Sequence, residues 1–378
     1  MGSSSYPTMA PVQSLIAGGE PGFVLGIGDL TYADTHGLAA VDQHFNDVMV
    51  WSQDAAYMPM WGNHDWGDTT DDLRNYKGRF DLPNAQASPG SPAVSCCGED
   101  WYWFDAGNVR FIAYPEPYTG AWTAWKTAAT TLMDQAQADP SIHFIVTFGH
   151  RPAYSSGYHA GSASLSAILD TLGAHHDKYV LNLTGHSHDY ERSTPRSGVT
   201  HVTVGIGGST LEPASGTCEW TGGCPAPAWC AYRAFHHGAL RLTFDANQIR
   251  GDVLCGPAAS QDDITCTPGS VFDSFTIGTH SVTGTPPATP AGLALDDVRP
   301  DPARATFTLG YSLADGGDVR LELLDVAGRS VRRIALAPAG PGRHEVQLST
   351  PPGVPPGVYW LRLSQAGHDA RRSVVLLP

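Results

Sequence analysis

Gly185-His186-Ser187-His188 sets two imidazoles two residues apart, directly after the apolar run Tyr179-Val180-Leu181-Asn182-Leu183. The run reads as a buried strand that Gly185 ends with a turn. Neutral imidazole is a good ligand for divalent and trivalent transition metals, and two on one loop can reach two adjacent ions. In a chain with 16 histidines such a pair alone is weak evidence for a metal. Three further junctions repeat the arrangement. Phe23–Ile27 runs into Gly28-Asp29-Leu30-Thr31-Tyr32, Tyr57-Met58-Pro59-Met60-Trp61 into Gly62-Asn63-His64-Asp65, and Phe144–Phe148 into Gly149-His150-Arg151-Pro152. Each is a short apolar strand, a glycine, then ligand-type residues. An aspartate after a strand is often only a turn former or a cap. In open α/β sheets, however, sites gather beyond the carboxyl ends of strands, so four such ends can meet at one rim.

In type and order, Gly28-Asp29-x-x-Tyr32, Gly62-Asn63-His64-Asp65, Gly149-His150-x-Pro152-x-Tyr154 and Gly185-His186-x-His188-x-Tyr190-Glu191-Arg192 resemble four of the five metal-binding motifs of the calcineurin-like metallophosphoesterases. The tyrosine of the first and the Tyr-Glu-Arg tail of the last are similar to those of the purple acid phosphatase branch. The resemblance covers residues 1–278 and implies a binuclear metal centre. Asp29 would be shared by both ions; Tyr32 and His188 would complete one site, and Asn63, His150 and His186 the other. A phenolate at Tyr32 favours Fe(III), with Zn, Fe or Mn(II) as its neighbour. Two ions roughly 3.5–4 Å apart lower the pKa of a bound water and clamp phosphoryl oxygens. The implied reaction is hydrolysis of a small phosphomonoester by a metal-bound hydroxide, as in an acid phosphatase.

The resemblance makes His64 the catalytic residue, acting on the leaving oxygen as general acid or transition-state stabiliser. Asp65 is expected to orient it. His159 matches a substrate-binding histidine of plant members, with Tyr158 or plain loop exposure as the alternatives. The family's first motif, Gly-Asp-x-Gly, supplies one more ligand to the Tyr32 site. No aspartate precedes Asp29, and Met1-Gly2 fits the last two positions of that motif. The expectation is a chain that begins just after this ligand, which would also remove a signal peptide. Two alternatives stand beside the phosphomonoesterase: a phosphodiesterase or nucleotidase of the same superfamily, and a secreted surface binding protein with an impaired metal site.

Composition narrows the partners. A net charge of −15, with no Lys or Arg before Arg74, argues against wrapping nucleic acid or coating an anionic membrane. No run approaches the length of a membrane span. Cys218, Cys224, Cys230, Cys255 and Cys266 lack zinc-ribbon spacing and read as a disulfide framework in an oxidising compartment, with the pairing open. Vicinal Cys96 and Cys97 are not expected to bridge each other. A secreted or cell-surface protein follows.

The elements that must hold these residues alternate. Weak helical character runs through 8–17, and stronger periodicity predicts helices over 39–56, 121–138 and 164–175. A hairpin is expected at 102–113, and further strands at 199–205, 238–244, 248–254 and 270–277. That pattern suits an α/β fold, the four-layer αββα sandwich of the metallophosphoesterases. Residues 279–290 form a Pro/Thr linker. From 291 to 378, short runs alternate with period two and predict a small all-β sandwich. It resembles the Ig-like domain of flagellar hook-capping proteins and the C-terminal sorting domains of bacterial secreted proteins, on Gly357-Val358-Tyr359-Trp360-Leu361-Arg362-Leu363. Secretion or cell-surface machinery is the partner this implies.

Overall fold

A computed structural model describes residues 8–66, 76–91, 98–213 and 225–279. From 293 to 377 it describes all but 300–302, 305, 314–318, 326–327, 335, 337–341, 350–352 and 367. The expected start of the chain, Cys96, Cys97, Cys218 and Cys224, and the linker from 280 onward lie outside the described residues. Contacts divide the chain into two units, Met1–His280 and Ser281–Pro378.

In the first unit, helix α1 (Met9–Gly18) precedes strand β1 (Phe23–Ile27). A short α2 (Ala33–His36) and the longer α3 (Ala39–Ser52) lead to β2 (Ala56–Met60), which pairs with β1 in parallel and is followed by the one-turn α4 (Asn63–Trp66). Helix α3 buries Ala40, Val41, His44, Val48 and Trp51, one stripe at helical spacing. It is shorter than expected, because the chain turns at Asp54 and Ala55, whose amides bond back to Trp51 O, before β2 begins. Val48 and Trp51 pack on Ile16 of α1 and on Val24 and Tyr57 of the strand pair. The inward-facing Phe23 meets Phe104 and Phe111 edge-on, at 5.6 and 5.3 Å.

Those two phenylalanines belong to a seven-stranded mixed sheet. Its strands are β3 (Trp103–Ala106), β4 (Val109–Ala113), β5 (Phe144–Phe148), β6 (Tyr179–Thr184), β7 (Tyr190–Ser193), β8 (Thr200–Val204) and β9 (Cys230–Ala234), in the order β3-β4-β5-β6-β8-β7-β9. The parallel strands β5 and β6 are buried at every position, as expected where both faces are covered. Helices α5 (Ala121–Ala138) and α6 (Ala163–His175) make the crossovers into β5 and β6. Trp125 of α5 lies against Tyr114 and donates to Ala113 O, and Ser162 caps α6 through Leu165 N. A third, antiparallel sheet of β10 (Gly238–Phe244), β11 (Gln248–Cys255) and β12 (Val271–Gly278) meets the large sheet where Phe244 packs on Phe111. Strands β7 and β9 were not anticipated. The Cys255–Cys266 disulfide supplies one pairing that the sequence left open, and Cys230 is bridged to no cysteine among the described residues.

The second unit contains strands β13 (Ala294–Arg299), β14 (Thr306–Leu313), β15 (Val319–Leu324), β16 (Ser330–Ile334), β17 (Gly342–Ser349), β18 (Gly357–Gln365) and β19 (His368–Leu376). They form two antiparallel sheets, β13-β14-β17 and β16-β15-β18-β19. Alternate residues of β14 and β18, among them Phe307, Leu309, Leu361 and Leu363, fill one apolar core. Among the described residues no helix is long and apolar enough to cross a membrane.

Two core histidines make the first unit acid-sensitive. Burial pushes His44 down to about 3, and burial followed by the charge of Arg196 does the same to His201. The unfolded chain takes up protons near pH 6.5 that the folded chain refuses until about 3. Stability is therefore full above pH 6.5 and falls as pH drops through that window, by on the order of 4 kcal/mol per histidine. Urea midpoints between pH 7 and 4 should track this, and His44→Gln should flatten the slope whatever it does to stability at pH 7.

Candidate metal centre

Strands β1 and β2 end in register, with Ile27 opposite Met60; β5 and β6 do so with Phe148 opposite Leu183. Their four loops meet because His150 Nδ1 donates to Ile27 O (3.0 Å) and Gly185 N to His150 O (3.0 Å), which lock the two strand pairs together at their carboxyl ends. Glycines make this approach feasible: a Cβ on Gly28, at φ +88°, would run into the His150 ring, and one on Gly62 into the Asp29 carboxylate. Asp29, Tyr32 and His186 also hold left-handed backbone angles, at φ 50°, 57° and 67°. Such angles cost a non-glycine residue about 1–3 kcal/mol each and persist where surrounding structure enforces them, typically at functional sites.

Asp29 is the hub. Its Oδ1 accepts from His64 N (2.9 Å), while its Oδ2 lies 3.1 Å from His150 Nε2 and 3.5 Å from the Tyr32 hydroxyl. His150 Nε2 is also 3.1 Å from Asn63 Oδ1, and the Tyr32 hydroxyl is 2.9 Å from His188 Nε2. Ligand atoms of Asp29, His150 and His186 all fall within 4.8 Å of one another. Every residue expected to bind metal is therefore brought to one place. The protons of two rings are held by backbone carbonyls, His150 Nδ1–H by Ile27 O and His188 Nδ1–H by Thr210 O (2.7 Å). Both Nε2 atoms then face the cluster, the ring orientation that metal-binding histidines adopt. Imidazole, carboxylate, amide and phenol oxygen together suit a transition-metal pair. His186 differs: Arg151 Nη1 donates to its Nε2 (2.6 Å), so a ligand role requires its Nδ1 to give up a proton or Arg151 to withdraw.

Burial works to raise the Asp29 carboxyl, but the charge and hydrogen bond of His150, with the His64 ring and amide, outweigh it and hold Asp29 well below the usual carboxylate range. Burial works to lower His150, and Asp29 more than offsets this, raising it. Burial lowers both His186 and His188.

The expected pairing of Asp65 with His64 is corrected. Asp65 is buried beneath the loops and accepts from Gly62 N (2.8 Å) and Leu30 N (3.1 Å), so it ties the first two motif loops together. Burial and then the charge of Asp29 push its carboxyl up to about 7. It is Asp34 whose Oδ2 lies 2.7 Å from His64 Nδ1, with the His64 ring tilted over Tyr32 at 4.3 Å. Asp34 follows Tyr32 by two residues and could have been noticed there. Arg151 holds Glu116 as well as His186 (Nε–Oε2 3.1 Å), a link with no sequence signal at the Glu116 end. His159 stacks on His186 at 4.0 Å, and Tyr158 stands exposed beside it. His176, His236 and His237 are buried, and His175 is exposed; none lines the cavity in front of Asp29.

Residues 4–190 match the calcineurin-like phosphoesterase family model. Two uncharacterized proteins of Mycobacterium tuberculosis, from strains CDC 1551 and H37Rv, are each 28% identical over 199 residues, 47% of this chain. The chain spans only 36% of the length of these curated relatives. The purple acid phosphatase PPD1 of yellow lupin (Lupinus luteus) seeds shares the fold with a TM-score of 0.53 at 21% identity, over 72% of this chain and 49% of the lupin chain. Residues 4–190 thus carry a calcineurin-like metallophosphoesterase domain, and the residues that the sequence offers as metal ligands gather around Asp29 within it.

Proposed function

We propose that the protein is a binuclear metal-dependent acid phosphatase of the purple type, acting on phosphomonoesters. The observation that carries this reading is the convergence of Asp29, Tyr32, Asn63, His150, His186 and His188 from four separate loops, with the Nδ1 atoms of His150 and His188 turned to backbone carbonyls and their Nε2 atoms to the centre. Tyr32 and His188 would hold Fe(III), Asn63, His150 and His186 would hold Zn, Fe or Mn(II), and Asp29 would serve both. When bound, such a pair acidifies water and neutralises phosphoryl charge. His64 serves the leaving oxygen: its Nδ1 is taken by Asp34, which leaves Nε2 as the ring nitrogen for that oxygen. His159, at the cavity wall, binds the phosphate-bearing substrate.

The disulfide Cys255–Cys266 supports a secreted or cell-surface protein. The second unit is read as an Ig-like sandwich, joined by the 279–290 linker, that serves secretion or surface attachment.

The test is release of phosphate from an aryl monoester at mildly acid pH by the full chain, lost on chelation and restored by iron and zinc. Two ions per chain and a visible charge-transfer band that Tyr32→Phe abolishes are expected. Faster turnover of a bis-aryl diester would assign a diesterase instead, and a chain that retains no metal would leave a binding protein.

A further inference from the structure

His159 reaches the cavity in front of Asp29, about 280 Å3, from the loop between β5 and α6. Two contacts hold its ring: it stacks on His186 at 4.0 Å, and its Nε2 lies 3.4 Å from Glu212 Oε2. The backbone beneath the ring is held from another direction. Ser156, three residues earlier, gives its amide to Glu191 Oε2 (2.7 Å) and its hydroxyl to Glu191 Oε1 (2.5 Å). Arg233 Nη1 donates to the same hydroxyl (3.2 Å), from the position on β9 that pairs with Glu191 on β7. Between Ser156 and His159, Gly157 lies flush against the Asp189 carboxylate and Ser187 Oγ, and a Cβ there would collide with both.

Two simpler roles for Glu191 fit poorly. It does not line the cavity, so it is not placed to touch substrate, and both of its oxygens already accept from Ser156 rather than facing Asp29. Burying a carboxylate is costly unless it is well bonded, and bonds to an ionised acceptor are roughly twice as strong as neutral ones. A carboxylate at this place therefore specifies where Ser156 sits, as a neutral filler would not. Asp189 and Glu191 are alternate residues, so both press on the loop of His159 while His188 between the loops points to the centre. One segment thus presents a metal-binding residue on one side and a clamp on the other.

We propose that Glu191 is a positioning residue for substrate binding: by clamping Ser156 it sets where His159 stands over the metal centre, and through His159 the affinity for the phosphoryl group. This deepens the phosphatase reading and rests on it.

A double-mutant cycle tests this, read as equilibrium binding of inorganic phosphate to the metal-loaded full chain. His159→Ala and Glu191→Ala should each weaken binding about tenfold with two ions retained. The double variant should bind no more weakly than His159→Ala alone, a coupling of about 1.4 kcal/mol. Gly157→Ala displaces the same loop and leaves Glu191 in place, so its loss should also vanish once His159 is gone; it carries the cycle if Glu191→Ala fails to fold. A general loosening of the centre would instead weaken phosphate equally with or without His159. Losses that add in the double variant, or native affinity in both Glu191→Ala and Gly157→Ala, would overturn the proposal while the phosphatase reading stands. A native chain that loads two ions and binds no phosphate would overturn both.

Discussion

Replacing Asp29 with asparagine is expected to strip the centre of metal and to cut aryl-phosphate turnover on the order of a thousandfold, about 4 kcal/mol of transition-state stabilisation. The side chain is committed at both oxygens. Oδ1 takes the His64 amide, which an asparagine oxygen can still accept, so the loop should keep its shape. Oδ2 faces His150 and Tyr32, and there the negative charge is what matters. A neutral amide cannot balance two cations, and it cannot raise His150 as Asp29 does. The folded carboxyl sits below its unfolded value, so in the metal-free chain its ionised form contributes stability above the unfolded pKa near 3.8. That contribution is lost as pH falls toward the folded value. Elemental analysis, turnover and a melting curve on one preparation separate lost metal from lost fold. A variant that keeps two ions per chain and full activity would remove Asp29 from the centre and the proposed mechanism with it.

The sequence disclosed what is local. A strand, a glycine and a ligand lie within seven or eight residues of one another, so each of the four loop tips could be read without knowing where the others go. Helices α5 and α6 were legible for the same reason: Trp125, Ala129 and Met133, or Leu165, Leu169 and Leu172, repeat at helical spacing on one chain segment. What escaped depends on partners distant in sequence. Strand β7 is short, and its register is set by β8 and by β9 some forty residues on. Glu116 reaches Arg151 across 35 residues. Glu212 lies in an irregular segment where no periodicity marks it, and only the fold brings it beside His159 and His188. Asp65 was assigned to His64 because the two are adjacent. Adjacent side chains on a tight turn such as α4 (Asn63–Trp66) diverge, so Asp65 points under the loops while His64 points across them to Asp34.

That exchange of partners gives a second large effect. His64→Ala should lower kcat by about 10²–10³-fold with both metals retained, the usual loss when one positioned proton donor or transition-state contact is removed. The leaving group decides between those two roles. If His64 protonates the departing oxygen, 4-nitrophenyl phosphate, whose phenolate needs no proton, should be hardly slowed, while phenyl phosphate suffers the full loss. If His64 only stabilises charge on the phosphoryl group, both substrates should slow alike. Asp34→Asn tests the residue behind it. Its oxygen can still accept from Nδ1, so the ring should stay over Tyr32, but without the carboxylate the imidazolium loses its counter-charge. A milder fall in kcat than that of His64→Ala, about tenfold, should follow. Because Asp34 lies within the first motif loop, a merely structural role would instead appear as lost metal or a lowered melting point, with 4-nitrophenyl and phenyl phosphate slowed alike. Full turnover in His64→Ala would mean that the leaving oxygen is served by another group, and that the 2.7 Å Asp34–His64 contact does no more than fix a loop.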